Sequence, residues 1–93
     1  MKIAVIGYGG VGKALIRLLE MQKALLAKES LDITVKYIVE YYGGIACKSG
    51  IDLPTLIHFT ETEPDITKFQ DGSKNTTVDD IVFDPEVELA VIM

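Results

Sequence analysis

The sequence predicts an α/β fold in which a buried strand turns through a glycine-rich loop into an amphipathic helix and returns as a parallel second strand. Three observations predict it. The apolar run Ile3-Ala4-Val5-Ile6 stops abruptly at glycine, as a buried parallel strand does. Gly7-Tyr8-Gly9-Gly10-Val11-Gly12 follows at once and fits G-x-G-x-x-G, the pattern that joins a strand to a helix and cradles a dinucleotide pyrophosphate. Helical apolar spacing and then a β-branched run complete a β-α-β unit. The expected architecture is a partial Rossmann-type parallel sheet with flanking helices.

The first strand is expected over Lys2–Ile6 and the first helix from about Gly10 to Lys28. Val11, Ala14, Leu15, Leu18, Leu19, Leu25 and Leu26 recur at three- and four-residue steps, which predicts one apolar face. Lys13, Arg17, Glu20 and Lys23 fall mostly opposite. The run Leu31–Val39 predicts a second strand with its core at Thr34–Val39. A right-handed crossover makes the two strands parallel neighbours.

The middle of the chain carries weaker signals. Tyr41–Gly50 holds Gly43, Gly44 and Gly50 and reads as loop. Asp52 is a candidate N-cap, and Pro54 fits a first helical turn, so a helix of up to three turns is expected through Leu56, Ile57 and Phe59. The polar stretch Thr62–Asn75, with Pro64 and Gly72, reads as turns. Thr76-Thr77-Val78 reads as a very short strand. Asp79–Phe83 reads as a short helix, stopped near Asp84-Pro85 because proline restricts the residue before it. Val87–Met93 again has the pattern of a buried strand.

Size and composition narrow the function. A chain of 93 residues supplies one domain, residues 1–93, and a hydrophobic fraction of 48% can form a packed core. The net charge of −5, with scattered basic residues, argues against nucleic-acid or anionic-membrane partners. No apolar run is long enough to span a membrane. The single cysteine, Cys47, excludes an internal disulfide and fits a reduced, cytoplasmic setting. The early start of the first strand leaves no room for a secretory signal. A final strand without a following cap or helix leads to the expectation of a truncated segment of a longer protein; the alternative is a short protein that pairs its edge with a second copy. Homo-oligomerisation is expected through that edge or through a missing domain.

Within the loop, each glycine has a separate expected task. Gly7 permits the tight turn, Gly9 lets the backbone approach the phosphates, and Gly12 lets the helix pack closely on the strand. The helix N-terminus aims unpaired N–H groups at the anion. Glu40, 28 residues after Gly12, stands where an acidic side chain accepts from ribose hydroxyls and repels a 2′-phosphate. With no Lys or Arg between it and Lys48, NAD is expected over NADP, which stays possible. The cofactor-binding set is Gly7, Tyr8, Gly9, Gly10, Val11, Gly12 and Glu40. Gly7–Lys13 also matches G-x-x-x-x-G-K, but Ala14 replaces the hydroxyl residue that a P-loop needs for magnesium. His58 has no partner for metal or triad chemistry, so it reads as a packed or solvent-facing helix residue. Asp79 and Asp80 read as favouring a helix start. Tyr37, Tyr41 and Tyr42 either line an adenine pocket or pack.

Residues 3–15 resemble the start of homoserine dehydrogenases. So do Val39-Glu40, Gly43-Gly44-Ile45, Ser49-Gly50-Ile51-Asp52-Leu53 and the strand Asp84-Pro85-Glu86-Val87-Glu88-Leu89-Ala90-Val91. The resemblance covers nearly all of the chain. It implies an NAD(P)-binding segment of an oxidoreductase that interconverts aspartate semialdehyde and homoserine. It also implies a catalytic lysine and substrate-binding acids in a later domain, so no catalytic residue maps here. Two positions depart from the family: Ile92 and Met93 replace a common Glu, and Tyr41 and Tyr42 replace a frequent Arg or Ser. An alternative from another class is a non-catalytic dinucleotide-sensing regulatory domain, which places the same motif in the same unit.

Overall fold

A five-stranded mixed sheet in the order β4-β3-β2-β1-β5 forms the body of the computed structural model, which describes residues 1–30 and 32–93. The strands are β1 (Lys2–Ile6), β2 (Thr34–Glu40), β3 (Gly43–Ala46), β4 (Gly72–Ser73) and β5 (Leu89–Ile92). The helices are α1 (Gly10–Met21), α2 (Lys23–Lys28), α3 (Leu53–Phe59) and α4 (Val78–Val82), with a 3₁₀ turn at Ile66–Lys68. β1 lies parallel to both β2 and β5. The fold is therefore α/β with a three-stranded parallel core, as expected. The sheet as a whole is not parallel, because β3 runs antiparallel to β2 and β4 antiparallel to β3.

The two faces of the sheet carry separate cores. On one, Ile3 and Val5 of β1, Val35 and Ile38 of β2 and Ile45 of β3 pack against Ile16 of α1 and Leu56 of α3. On the other, Ala4, Tyr37 and Val39 pack against Ile81 of α4. Alternation along the strands sends neighbouring residues to opposite faces.

Several local expectations are corrected. The single helix Gly10–Lys28 bends at Gln22, where the backbone takes φ −94° and ψ 3°. Helical bonding continues across the bend, with Gln22 N–H on Leu18 O at 2.9 Å and Leu26 N–H on Gln22 O at 2.8 Å. The buried stripe Gly12-Leu15-Ile16-Leu19 ends before the bend, and α2 buries no residue, so packing does not hold it in line. Val11, Ala14, Leu18 and Leu25, expected on the apolar face, are exposed. The fully buried residue is Ile16. The span read as loop contains β3, entered through a two-residue turn at Tyr41-Tyr42; Gly43 pairs with Glu40 and takes the positive φ of 141° that neither tyrosine adopts. Thr76-Thr77-Val78 is not a strand. Thr77 caps α4 reciprocally with Asp80, whose carboxylate accepts from Thr77 N–H at 2.8 Å. β5 is an exposed edge, with Leu89, Ala90 and Ile92 open to solvent. Leu31, expected in the second strand, lies outside the described residues.

Asp52 caps α3 by accepting from Thr55 N–H at 3.3 Å, with Pro54 in the first turn, as the sequence predicts. The short helix before Asp84-Pro85 also forms, one residue earlier than expected.

An ion cluster fastens β5 to β2. Ile3 pairs with Val35 but Ala4 pairs with Tyr37, so Lys36 is an extra residue in β2. Such a bulge puts two successive side chains on one side. Lys36 Nζ and Tyr37 Oη meet the same oxygen, Asp84 Oδ2, at 2.6 and 2.8 Å. Glu86 Oε1 accepts from Lys36 at 2.8 Å and from Lys2 at 3.4 Å. The side chains of Lys36 and Asp84 are only 9% and 10% exposed. The hydrogen bond to Asp84, then that to Glu86, holds the Lys36 ammonium charged well above the usual lysine range. The bonds from Lys36, from Glu86 N–H and from Tyr37 hold Asp84 down at about 2.

A depressed carboxyl stabilises the fold above its unfolded value and loses that contribution as pH falls toward the folded value. Acid unfolding should therefore show stability falling between 3.8 and about 2. Asp84→Asn should be less stable at neutral pH and show a shallower acid limb; an unchanged limb would remove Asp84 from this role. In the main core, Ile16→Ala should cost about 2–5 kcal/mol in urea denaturation.

Candidate functional site

The chain passes from β1 to β2, β3 and β4 on one side and then returns to lay β5 against the other side of β1. The order thus reverses at β1. In open α/β sheets the crevice beyond the carboxyl ends of the strands at such a reversal is where ligands bind. The glycine turn leaves β1 at that point.

Gly7 makes the turn with φ 102°, a conformation that side chains rarely accept. Its N–H reaches Val39 O at 2.8 Å, extending the β1–β2 ladder, and a Cβ there would stand 2.9 Å from Met93 O. Gly12 packs directly onto the turn, where a Cβ would be 2.5 Å from Gly7 O. This is the close helix–strand approach that the motif predicts. Both glycines are required by the fold itself.

Gly9 and Gly10 are different. A Cβ on either would meet nothing within 4 Å. Gly9 has φ −75° and ψ −161°, extended backbone open to any residue. Gly10 opens α1, where glycine is a poor helix former. Neither packing nor conformation asks for glycine at these positions. Open space lies over both.

Gly9 provides no side-chain cap for α1, and the first turn holds no acidic residue. Helical bonding begins with Lys13 N–H on Gly9 O at 2.9 Å. Among the described residues, the N–H groups of Gly10, Val11 and Gly12 have no protein acceptor. An uncapped α1 with bare amides and a positive dipole end favours an anion.

The other predicted residues are arranged around this end. Tyr8 turns its ring into the main core, 5% exposed, where its hydroxyl meets Thr60 Oγ1 at 3.2 Å. Its contribution to the site is main-chain. Tyr8 N–H donates to Glu40 Oε1, which brings the end of β2 onto the glycine turn. Among the described residues, Glu40 Oε2 accepts no hydrogen bond and stays open to a hydroxyl donor. Val11 is exposed on the first turn of α1. Lys13 places its ammonium 5.7 Å from the centroid of the Tyr8 ring.

The three tyrosines separate. Tyr37 is buried on the far face with its hydroxyl on Asp84; burial first, then that bond, pushes its pKa up. Tyr42 is half-buried and donates to Pro64 O at 3.3 Å. Tyr41 is 97% exposed beside Glu40. His58 is solvent-facing, its side chain 88% exposed and 3.7 Å from Glu61. No group of three or more His, Cys, Asp and Glu that could hold a metal occurs among the described residues. No described helix is long and apolar enough to cross a membrane.

A cleft of about 390 Å³ opens elsewhere, between α1–α2, the start of β2 and the segment leading into α3. It sits at the amino ends of the parallel strands, opposite the reversal point, and contains none of the glycine-turn amides. The Lys36–Asp84–Glu86 cluster was not foreseen from sequence. Its one signal is a lysine in the middle of an apolar strand, a position that calls for a buried partner. No protein-family model matches the chain, and a search of curated proteins finds no relative.

The four glycines should divide by stability. Gly7→Ala and Gly12→Ala should each lose about 1–3 kcal/mol of unfolding free energy. Gly9→Ala and Gly10→Ala should stay within about 1 kcal/mol of the parent or gain slightly. Thermal and urea melts of the four variants check this; an equal loss at Gly9 would mean that the fold needs glycine there too.

Proposed function

We propose that this chain binds a nicotinamide dinucleotide through its glycine turn and forms the cofactor-binding segment of a homoserine dehydrogenase-like oxidoreductase. The observation that supports the binding reading is the open space over Gly9 and Gly10 in front of three amides that, among the described residues, have no protein acceptor. Packing does not require glycine at Gly9, and close approach of a diphosphate does. The choice of enzyme rests on the sequence resemblance.

The residues suit the group. The amides of Gly10, Val11 and Gly12 would donate to phosphate oxygens, with the α1 dipole adding to the attraction. Glu40 Oε2, which accepts no hydrogen bond among the described residues, would accept from a ribose hydroxyl while Oε1 stays on Tyr8 N–H. A 2′-phosphate at that position would meet the Glu40 carboxylate, so NAD is preferred to NADP. When bound, the dinucleotide supplies the nicotinamide that exchanges a hydride with a carbonyl carbon. The chain itself binds, orients and selects. The reaction proposed for the whole enzyme is the interconversion of aspartate semialdehyde and homoserine in amino-acid biosynthesis. Its setting is cytoplasmic, and its substrate groups lie in a further domain.

Calorimetry on the chain should show NAD binding more tightly than NADP. Gly9→Val should weaken NAD by about tenfold, the equivalent of one lost charge-assisted bond, while costing no more than about 1 kcal/mol of stability at this N-cap position. Clearly tighter NADP binding would overturn the role of Glu40, and absence of binding would overturn the function. Turnover of homoserine by these 93 residues alone would contradict the assignment of catalysis to another domain.

A further inference from the structure

We infer that Lys36 is a positioning residue for the anion site: through Asp84 and Glu86 it holds β5 against β1, and β5 holds the glycine turn in the form that binds. The inference rests on the dinucleotide reading above and adds a control of that site by residues that do not touch the ligand.

β5 buries none of its four residues, and among the described residues no strand lies beyond it. Side-chain packing along the strand therefore does little to fix its position. The ladder to β1 and the corner that leads into β5 hold it instead. Asp84 organises that corner with both carboxylate oxygens. Oδ2 accepts from Lys36 and Tyr37 of β2, and Oδ1 accepts from Glu86 N–H at 2.9 Å. Glu86 returns to Lys36 through its own carboxylate. Val87, half-buried on the far-face core, adds an apolar hold. Glu88 N–H then starts the ladder on Lys2 O at 2.8 Å.

At its other end β5 meets the site. Met93 N–H closes the ladder on Ile6 O at 2.8 Å. A Cβ on Gly7 would stand 2.9 Å from Met93 O and 3.5 Å from Met93 Cβ, so Met93 is a wall against the turn. β5 is thus an edge element with two states, paired and frayed, and only the paired state confines Gly7. A confined turn presents the amides of Gly10, Val11 and Gly12 without the ordering that a loose turn must undergo on binding. Such coupling is reciprocal: a ligand that prefers the confined turn favours paired β5 by the same factor.

Amide hydrogen exchange on the 93-residue chain, with and without saturating ADP, reads this coupling without any substitution. Glu88 N–H lies about 16 Å along the strand from Met93, beyond reach of the ligand. It should exchange about fivefold more slowly with ADP, the low end of coupling between sites. Gly50 N–H, bonded to Cys47 O at 3.0 Å in a loop outside this path, should keep its rate. Unchanged exchange at Glu88 while ADP binds, or equal slowing at both amides, overturns the inference and leaves the dinucleotide reading standing. Calorimetry adds a second arm. Asp84→Asn, measured where it is folded, should bind ADP about fivefold more weakly. Ile66→Val also loses stability, at a buried position away from β5, and should bind ADP as the parent does. Unchanged affinity in folded Asp84→Asn, or an equal loss in Ile66→Val, overturns the inference. The exchange result decides if Asp84→Asn does not fold. Failure of the parent chain to bind ADP overturns both readings.

Discussion

The contact between Gly12 and the carbonyl of Gly7 is the constraint on which the site depends. With only 2.5 Å between that oxygen and the place of a Cβ, no other residue lets α1 start so close to the end of β1. The approach fixes the direction of α1, and Ile16 secures it by filling the core one turn later. Everything useful about the site follows from this placement. The amides of the first turn emerge at the carboxyl end of the parallel strands, and β2, one strand over, delivers Glu40 to the same end. Gly9 and Gly10 then leave that space clear.

A second set of interactions determines what stands on the other side of β1. β5 pairs with β1 through main-chain bonds, but its approach is guided by Asp84 and Glu86, which precede it and engage Lys36. Lys36 and Asp84 are nearly buried, so each charge needs the other, and removing one partner would leave the second uncompensated. A single well-bonded arrangement brings β5 against β1 and sets Met93 O beside Gly7. The far-face cluster and the glycine turn are joined in this way through one strand. β5 itself remains an apolar edge, with Leu89 and Ile92 exposed.

The β1-α1-β2 unit was legible because three independent signals coincide: a continuous apolar run, glycines with separate tasks, and helical periodicity. The glycine turn, the capping role of Asp52 and the stop before Pro85 were legible for the same reason, since each is local chemistry with one structural outcome. β3 and β4 were not. They are short, and Gly43, Gly44 and Gly72 give them no alternating apolar pattern. Their hairpin turns at two tyrosines and not at a recognised turn dipeptide. The apolar face of α1 was misjudged because its apolar residues spread past the buried stripe onto an exposed flank. Periodicity cannot tell which part of so wide a face meets the sheet. The bulge at Lys36 depends on partners about fifty residues away, which no local pattern announces.

The most direct measurement is an amide NMR titration of the labelled chain with ADP. Saturable shifts should concentrate at the main-chain amides of Gly9, Gly10, Val11 and Gly12 and at Glu40. The residues around the cleft beside Leu26, Ile33 and Leu53 should stay still. Saturable shifts at that cleft, with the glycine-turn amides unmoved, would contradict the account.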